Sequence, residues 1–133
     1  MRICVIHSNK LVSDTLDCFL TSLGNQVKIF TYDGQRQETV SQYSYWADLI
    51  IADLEHGKRE YLSALEEIHA IFPAVPILFM SATGENIRSE EAVKNGVLGC
   101  LHKPLSLSEL ELLLVRISEL SAKRSTQKDT YGQ

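Results

Sequence analysis

Five short apolar runs, each too brief for a helix, alternate along this chain with stretches whose apolar residues recur at three- or four-residue spacing. The runs are residues 2–6 (Arg-Ile-Cys-Val-Ile), 26–30 (Gln-Val-Lys-Ile-Phe), 48–54 around Leu-Ile-Ile-Ala, 76–80 (Pro-Ile-Leu-Phe-Met) and 97–101 (Val-Leu-Gly-Cys-Leu). A continuous apolar run, rather than an alternating one, is what a strand needs when both faces of its sheet are covered. Strands alternating with helices through short connections pair in parallel, and right-handed crossovers then put helices on both faces. The expected architecture is therefore a doubly wound α/β sheet.

The helical stretches carry their own punctuation. Leu16, Phe19, Leu20 and Leu23 follow Val12 on one face, and Gly24 stands where a left-handed residue would end the helix. After a turn at Asp33-Gly34, a weak second helix is expected around residues 38–45. Leu62, Leu65, Ile68 and Phe72 trace a third, stopped by Pro73. The fourth is thinly apolar (Ile87, Ala92, Val93) and closes at Asn95-Gly96. The fifth, capped by Ser106 or Ser108, carries Leu110, Leu113, Leu114, Ile117 and Leu120. Residues 1–122 are read as one domain, and 123–133 as a polar, disordered tail or linker.

Composition narrows the function. With 133 residues, 44% hydrophobic and 23% charged, the chain can bury a core as a single domain. A net charge of -4, with no Lys/Arg cluster before the final segment, supplies no footprint for nucleic acid. Cys4, Cys18 and Cys100 are odd in number and widely separated, so they are read as reduced, mostly buried thiols rather than a disulfide framework or zinc site. No apolar run approaches the roughly 20 residues of a membrane span, and a cytoplasmic setting without membrane contact is expected.

In an open parallel sheet the functional crevice lies at the carboxyl ends of the strands. There the sequence places His7, Ser8 and Asn9 after the first strand, Asp53 at the third, Ser81 after the fourth and Lys103 after the fifth. A carboxylate, a hydroxyl and an ammonium meeting at one edge suit phosphoryl transfer to the carboxylate, with the other two engaging phosphoryl oxygens. The plainer alternative is that Asp53 caps its loop and Lys103 is its ion-pair partner. A transition-metal site on His7 and Asp53 finds no ligand spacing to support it. Catalysis on a small substrate lacks residues: there is no Gly-rich phosphate loop after the first strand and no G-x-S-x-G elbow.

Asp53 in Asp-Leu-Ile-Ile-Ala-Asp-Leu, Ser81-Ala82 after Pro-Ile-Leu-Phe-Met, and Lys103-Pro104 before the last helix together resemble the receiver domain of two-component response regulators, over residues 2 to about 121. The resemblance implies a flavodoxin-like (βα)5 fold with strand order 2-1-3-4-5. It also implies that Asp53 accepts a phosphoryl group from a histidine kinase while Ser81, Ala82 and Lys103 contact it. Receivers carry an acidic pair after the first strand that helps hold Mg²⁺; here that pair falls on His7 and Ser8, leaving Asp53 as a weak metal ligand at best. Cys100 occupies the switch position where many receivers have an aromatic residue.

Two functions remain open from the sequence. One is a degenerate receiver, not an enzyme, that needs neither Mg²⁺ nor another cofactor. It would bind another signalling protein, or dimerise through its fourth helix, fifth strand and fifth helix. The other is a receiver still phosphorylated on Asp53 that switches an output domain beyond the polar tail.

Overall fold

The computed structural model describes residues 1–7, 10–31, 42–54, 58–81, 94–102 and 106–131. Within them the chain runs β1 (Arg2–His7), α1 (Lys10–Ser22), β2 (Gln26–Thr31), β3 (Leu49–Asp53), α2 (Lys58–Ile71), β4 (Ile77–Ser81), β5 (Val97–His102) and α3 (Leu107–Tyr131). The five strands form one parallel sheet in the order β2-β1-β3-β4-β5. This is the α/β architecture expected from the alternation of runs. Of the five expected helices, α1, α2 and α3 are the first, third and fifth; Ile87, Ala92 and Val93 of the fourth lie outside the described residues.

Strand periodicity divides the core. Successive side chains point to opposite faces, so Ile3, Val5, Leu49, Ile51, Leu78 and Met80 pack against Leu16 and Leu20 of α1 and Leu110, Leu114 and Ile117 of α3. The alternate positions Cys4, Ile6, Ile50, Ala52 and Phe79 pack with Ala64, Leu65 and Ile68 of α2, and with Phe72 just beyond it. β3 lies at the centre, and all five of its residues are buried. The amino-terminal edge is tied by polar contacts. The Met1 amine donates to Asn25 Oδ1 at 2.9 Å, and the Arg2 amide donates to Asp48 Oδ2 at 2.8 Å.

Local signals act as the residues require. α1 ends in a Schellman motif: Gly24 adopts φ +89°, its N–H donates to Thr21 O at 3.0 Å, and the Asn25 N–H donates to Leu20 O at 3.2 Å. Of the two candidate caps for α3, Ser106 serves, its Oγ accepting from the Glu109 N–H at 3.3 Å. Gly96 also takes a positive φ of +79°.

Several boundaries differ from expectation. β1 and β2 each extend one residue further, to His7 and Thr31, because sheet hydrogen bonding continues past the last apolar side chain. Residues 42–46, inside or just after the expected second helix, form a turn in which the Trp46 N–H donates to Tyr43 O at 2.9 Å. There Tyr43 packs between Phe30 and Trp46, so aromatic packing decides the local structure rather than helical spacing. The backbone of α3 stays helical to Tyr131, where a disordered tail was expected from residue 123. The stretch includes Lys, Arg and Gln, which are good helix formers. Only Cys4 is buried; Cys18 is exposed on α1 and Cys100 half-buried, and none of the three is in a disulfide. Among the described residues no helix is long and apolar enough to cross a membrane.

The two left-handed glycines generate a test. Gly24→Ala should lose about 1 kcal/mol from backbone strain alone, since no neighbour approaches its added Cβ. Gly96→Ala should lose more, because that Cβ would stand 3.1 Å from His69 Nδ1. Urea denaturation of each variant, and of Gly96→Ala combined with His69→Ala, should show the excess disappear in the double variant.

Candidate functional site

The sheet order sets which side chains meet at its carboxyl edge. Thr31, His7, Asp53, Met80 and Leu101 lie in one cross-strand row from β2 to β5. Partners in register share a face, here the face covered by α1 and α3, on which Val5, Ile51 and Leu78 lie two residues earlier. The row therefore begins polar, with Thr31, His7 and Asp53, and ends apolar. One step beyond it the backbone of Ser81, the last residue of β4, pairs with that of His102.

His7 and Asp53 are direct neighbours in this row. His7 is 6% exposed and Asp53 is wholly buried, so a position expected as loop is the buried end of a strand. The His7 Nε2 lies 3.5 Å from Thr31 Oγ1. Its Nδ1 is closed to solvent and has no hydrogen-bond partner among the described residues. Both Asp53 carboxylate oxygens are likewise closed to solvent.

Of the residues singled out in the sequence, the structure brings His7, Asp53 and the backbone of Ser81 to this edge. Ser8, Ala82 and Lys103 lie outside the described residues. Cys100 stands opposite Phe79 and packs on the α2 side of the sheet, one residue before the row. Thr31 was missed because the strand was read as ending at Phe30. Its link to His7 depends on β1 and β2 pairing across 24 positions, which local patterning does not reveal. His102 was missed for the same reason.

The site is chemically spare. Among the described residues no cluster of three or more His, Cys, Asp or Glu gathers as a metal centre. What remains is an imidazole beside a carboxylate, both shut away from water. The nearest thiol along β1, Cys4, is no nucleophile: burial pushes its pKa up to about 12.

Comparison with known proteins agrees with the fold. The family described as "Response regulator receiver domain" matches residues 3–115. The transcriptional regulatory protein ZraR of Escherichia coli strain K12 is 31% identical over 99 residues, covering 74% of this chain and 22% of that protein. The transcriptional regulatory protein QseB of Haemophilus influenzae is 27% identical over 110 residues, covering 83% of this chain and 49% of that protein. This chain thus spans about a fifth to a half of these relatives. Among solved structures, NtrX from Brucella abortus in complex with ATP superposes with a TM-score of 0.76 at 22% identity, over 97% of this chain and 29% of that one. A two-component response regulator from Clostridium difficile gives 0.71 at 22% identity, over 90% and 96%.

The thiols offer a check on the burial described here. In the native protein at pH 8, a thiol reagent should label Cys18 and leave Cys4 unmodified until denaturant is added. Because its folded pKa lies above its ordinary 9.0, neutral Cys4 favours the fold below pH 9, and this advantage should fade between pH 9 and about 12. Cys4→Val should flatten that part of the stability profile, as read by thermal melts at each pH.

Proposed function

The chain belongs to the response regulator receiver domain family, and from that premise we propose that it is a degenerate receiver, signalling through protein contacts rather than through Mg²⁺-dependent phosphorylation of Asp53. The family is one of signalling domains rather than enzymes, working with histidine kinases and output domains. The observation that carries the reading is His7, a buried imidazole in register with Asp53. Mg²⁺ demands near-octahedral oxygen coordination and keeps several waters. An imidazole nitrogen in a closed edge does not fit that demand, and Ser8 brings a hydroxyl where the family's second carboxylate stands.

The burial of Asp53 supports the same reading. An attacking carboxylate must be reached by its phosphoryl donor in line, and here both oxygens are closed to solvent. Cys100 adds to this, since a small thiol cannot report a switch by swinging in and out as an aromatic ring does. The alternative, a working phospho-acceptor, draws support from Asp53 and Ser81 ending adjacent strands.

On this reading the working surface is a protein-binding one. The expected fourth helix, β5 and α3 would form it, in contact with a second copy or another signalling protein. β5 is an edge strand whose Leu98 is half exposed, and an open apolar edge favours pairing. The receiver body would end near residue 122. The helical backbone beyond it would lead, in a longer cytoplasmic regulator, toward an output domain such as a DNA-binding or ATPase module.

Amide NMR tests the central claim. Addition of Mg²⁺ and then beryllofluoride should leave the resonances of Asp53 and Ser81 unmoved, while the double variant His7→Asp, Ser8→Asp should gain saturable Mg²⁺ shifts there. Saturable shifts in the unaltered protein, lost in Asp53→Asn, would instead establish the phospho-acceptor. For the surface, sedimentation should show concentration-dependent association that Leu98→Asp weakens; a monomer at every concentration would leave the partner to be a different protein.

A further inference from the structure

At the amino-terminal edge of the sheet, the pole opposite Asp53, a cavity of about 320 Å³ lies between the end of α1 and the middle of α3. Leu114 is buried there, whereas Leu23 and Val115 line it while 40% and 51% exposed. Leu112, one turn before Val115 on α3, is 63% exposed. Single exposed apolar side chains are ordinary, but several gathered about one concavity mark a place where another molecule sits.

The charge at this cavity is acidic. The Asn25 amide is already engaged, its Oδ1 accepting from the Met1 amine and its Nδ2 donating to Leu20 O. Glu111 and Glu119 also line the cavity and are exposed, and among the described residues no cation pairs with either. Glu111, Val115 and Glu119 form one row at four-residue spacing along α3. The two carboxylates are thus carried about 12 Å apart along the helix axis, with an apolar residue between them.

We propose that this cavity is the docking seat for a basic amphipathic helix of a partner protein. That helix inserts one large apolar side chain between Leu23 and Val115. It lays a Lys or Arg four residues to either side of that anchor against Glu111 and Glu119. A row at four-residue spacing on one helix packs against the same row on another, so the spacing of acid, apolar and acid on α3 selects basic, apolar and basic on the partner. An extended segment fits less well, because no open strand edge is there to take its backbone hydrogen bonds. A second copy fits less well too, since a symmetric contact would set these carboxylates against their own equivalents. Apolar burial supplies the affinity, and the exposed carboxylates supply selection and a dependence on salt. The seat lies on the α1 side of α3, away from β5, and its use does not depend on the state of Asp53.

The test is an amide NMR titration of the ¹⁵N-labelled chain with two alanine-based helical peptides. Both carry a central Leu, flanked at four-residue spacing by Lys in one and by Glu in the other. The Lys peptide should move the amides of Leu23, Asn25, Val115 and Ser118 saturably, and the Glu peptide should bind about tenfold more weakly. Glu111→Lys combined with Glu119→Lys should invert that preference, and Val115→Asp should abolish binding of both peptides. These side chains are exposed, so the thermal melt of each variant should stay in place.

No saturable shift from the Lys peptide up to about 1 mM, equal binding of the two peptides, or shifts centred elsewhere would overturn the proposal. So would movement of Leu23 and Val115 on concentrating the protein alone, which would make a second copy the occupant. Association through β5 would instead move Leu98 and leave Leu23 and Val115 still, so the two surfaces are judged separately.

Discussion

Burial of the central strand on both faces governs the rest of this molecule. β3 has partners on either side and helices above and below, so every one of its residues, Asp53 included, is out of water. For Leu49, Ile50, Ile51 and Ala52 this is the favourable term that holds the sheet together. For Asp53 it is an electrostatic burden that must be met at the sheet's carboxyl edge. The placement of His7 beside it, and of Thr31 beside His7, follows from strand order and register.

Much of the fold was legible because its signals are local or strictly periodic. The apolar runs of β1, β3 and β4, the stop at Gly24 and the face of α1 each depend on a few neighbouring residues. Signals failed where two local preferences compete or where none applies. Residues 42–45 had enough helical spacing to suggest a helix, yet the packing of Tyr43 between Phe30 and Trp46 wins. Residues 123–130 lack apolar side chains, which says nothing against hydrogen-bonded helix, and the backbone of α3 continues through them. The boundary of a packed domain and the boundary of a helix are set by different physics.

The site was half legible. Asp53, His7 and Ser81 were identified because strand ends are where polar residues interrupt apolar runs, and the structure puts all three at one edge. Thr31 was not, since its meaning comes only from lying next to β1. On the proposed reading, what separates this chain from its family is a substitution visible in the sequence, His7 and Ser8 for two acids. That the imidazole is enclosed rather than solvated emerges only from the three-dimensional arrangement. A histidine on a loop and a histidine at the closed end of an interior strand are chemically different residues.

The enclosure of Asp53 makes its reactivity a matter of opening rather than of intrinsic nucleophilicity. Any reagent, phosphoryl donor or crosslinker, can reach it only in molecules that have opened at the sheet's carboxyl edge. Its observed rate is then the chemical rate multiplied by the small fraction of molecules open at that edge. Partner proteins that clamp or pry the carboxyl ends of the strands would tune that fraction without touching the carboxylate. In this domain access to the edge, more than the nucleophile, would set the speed of anything that happens at Asp53.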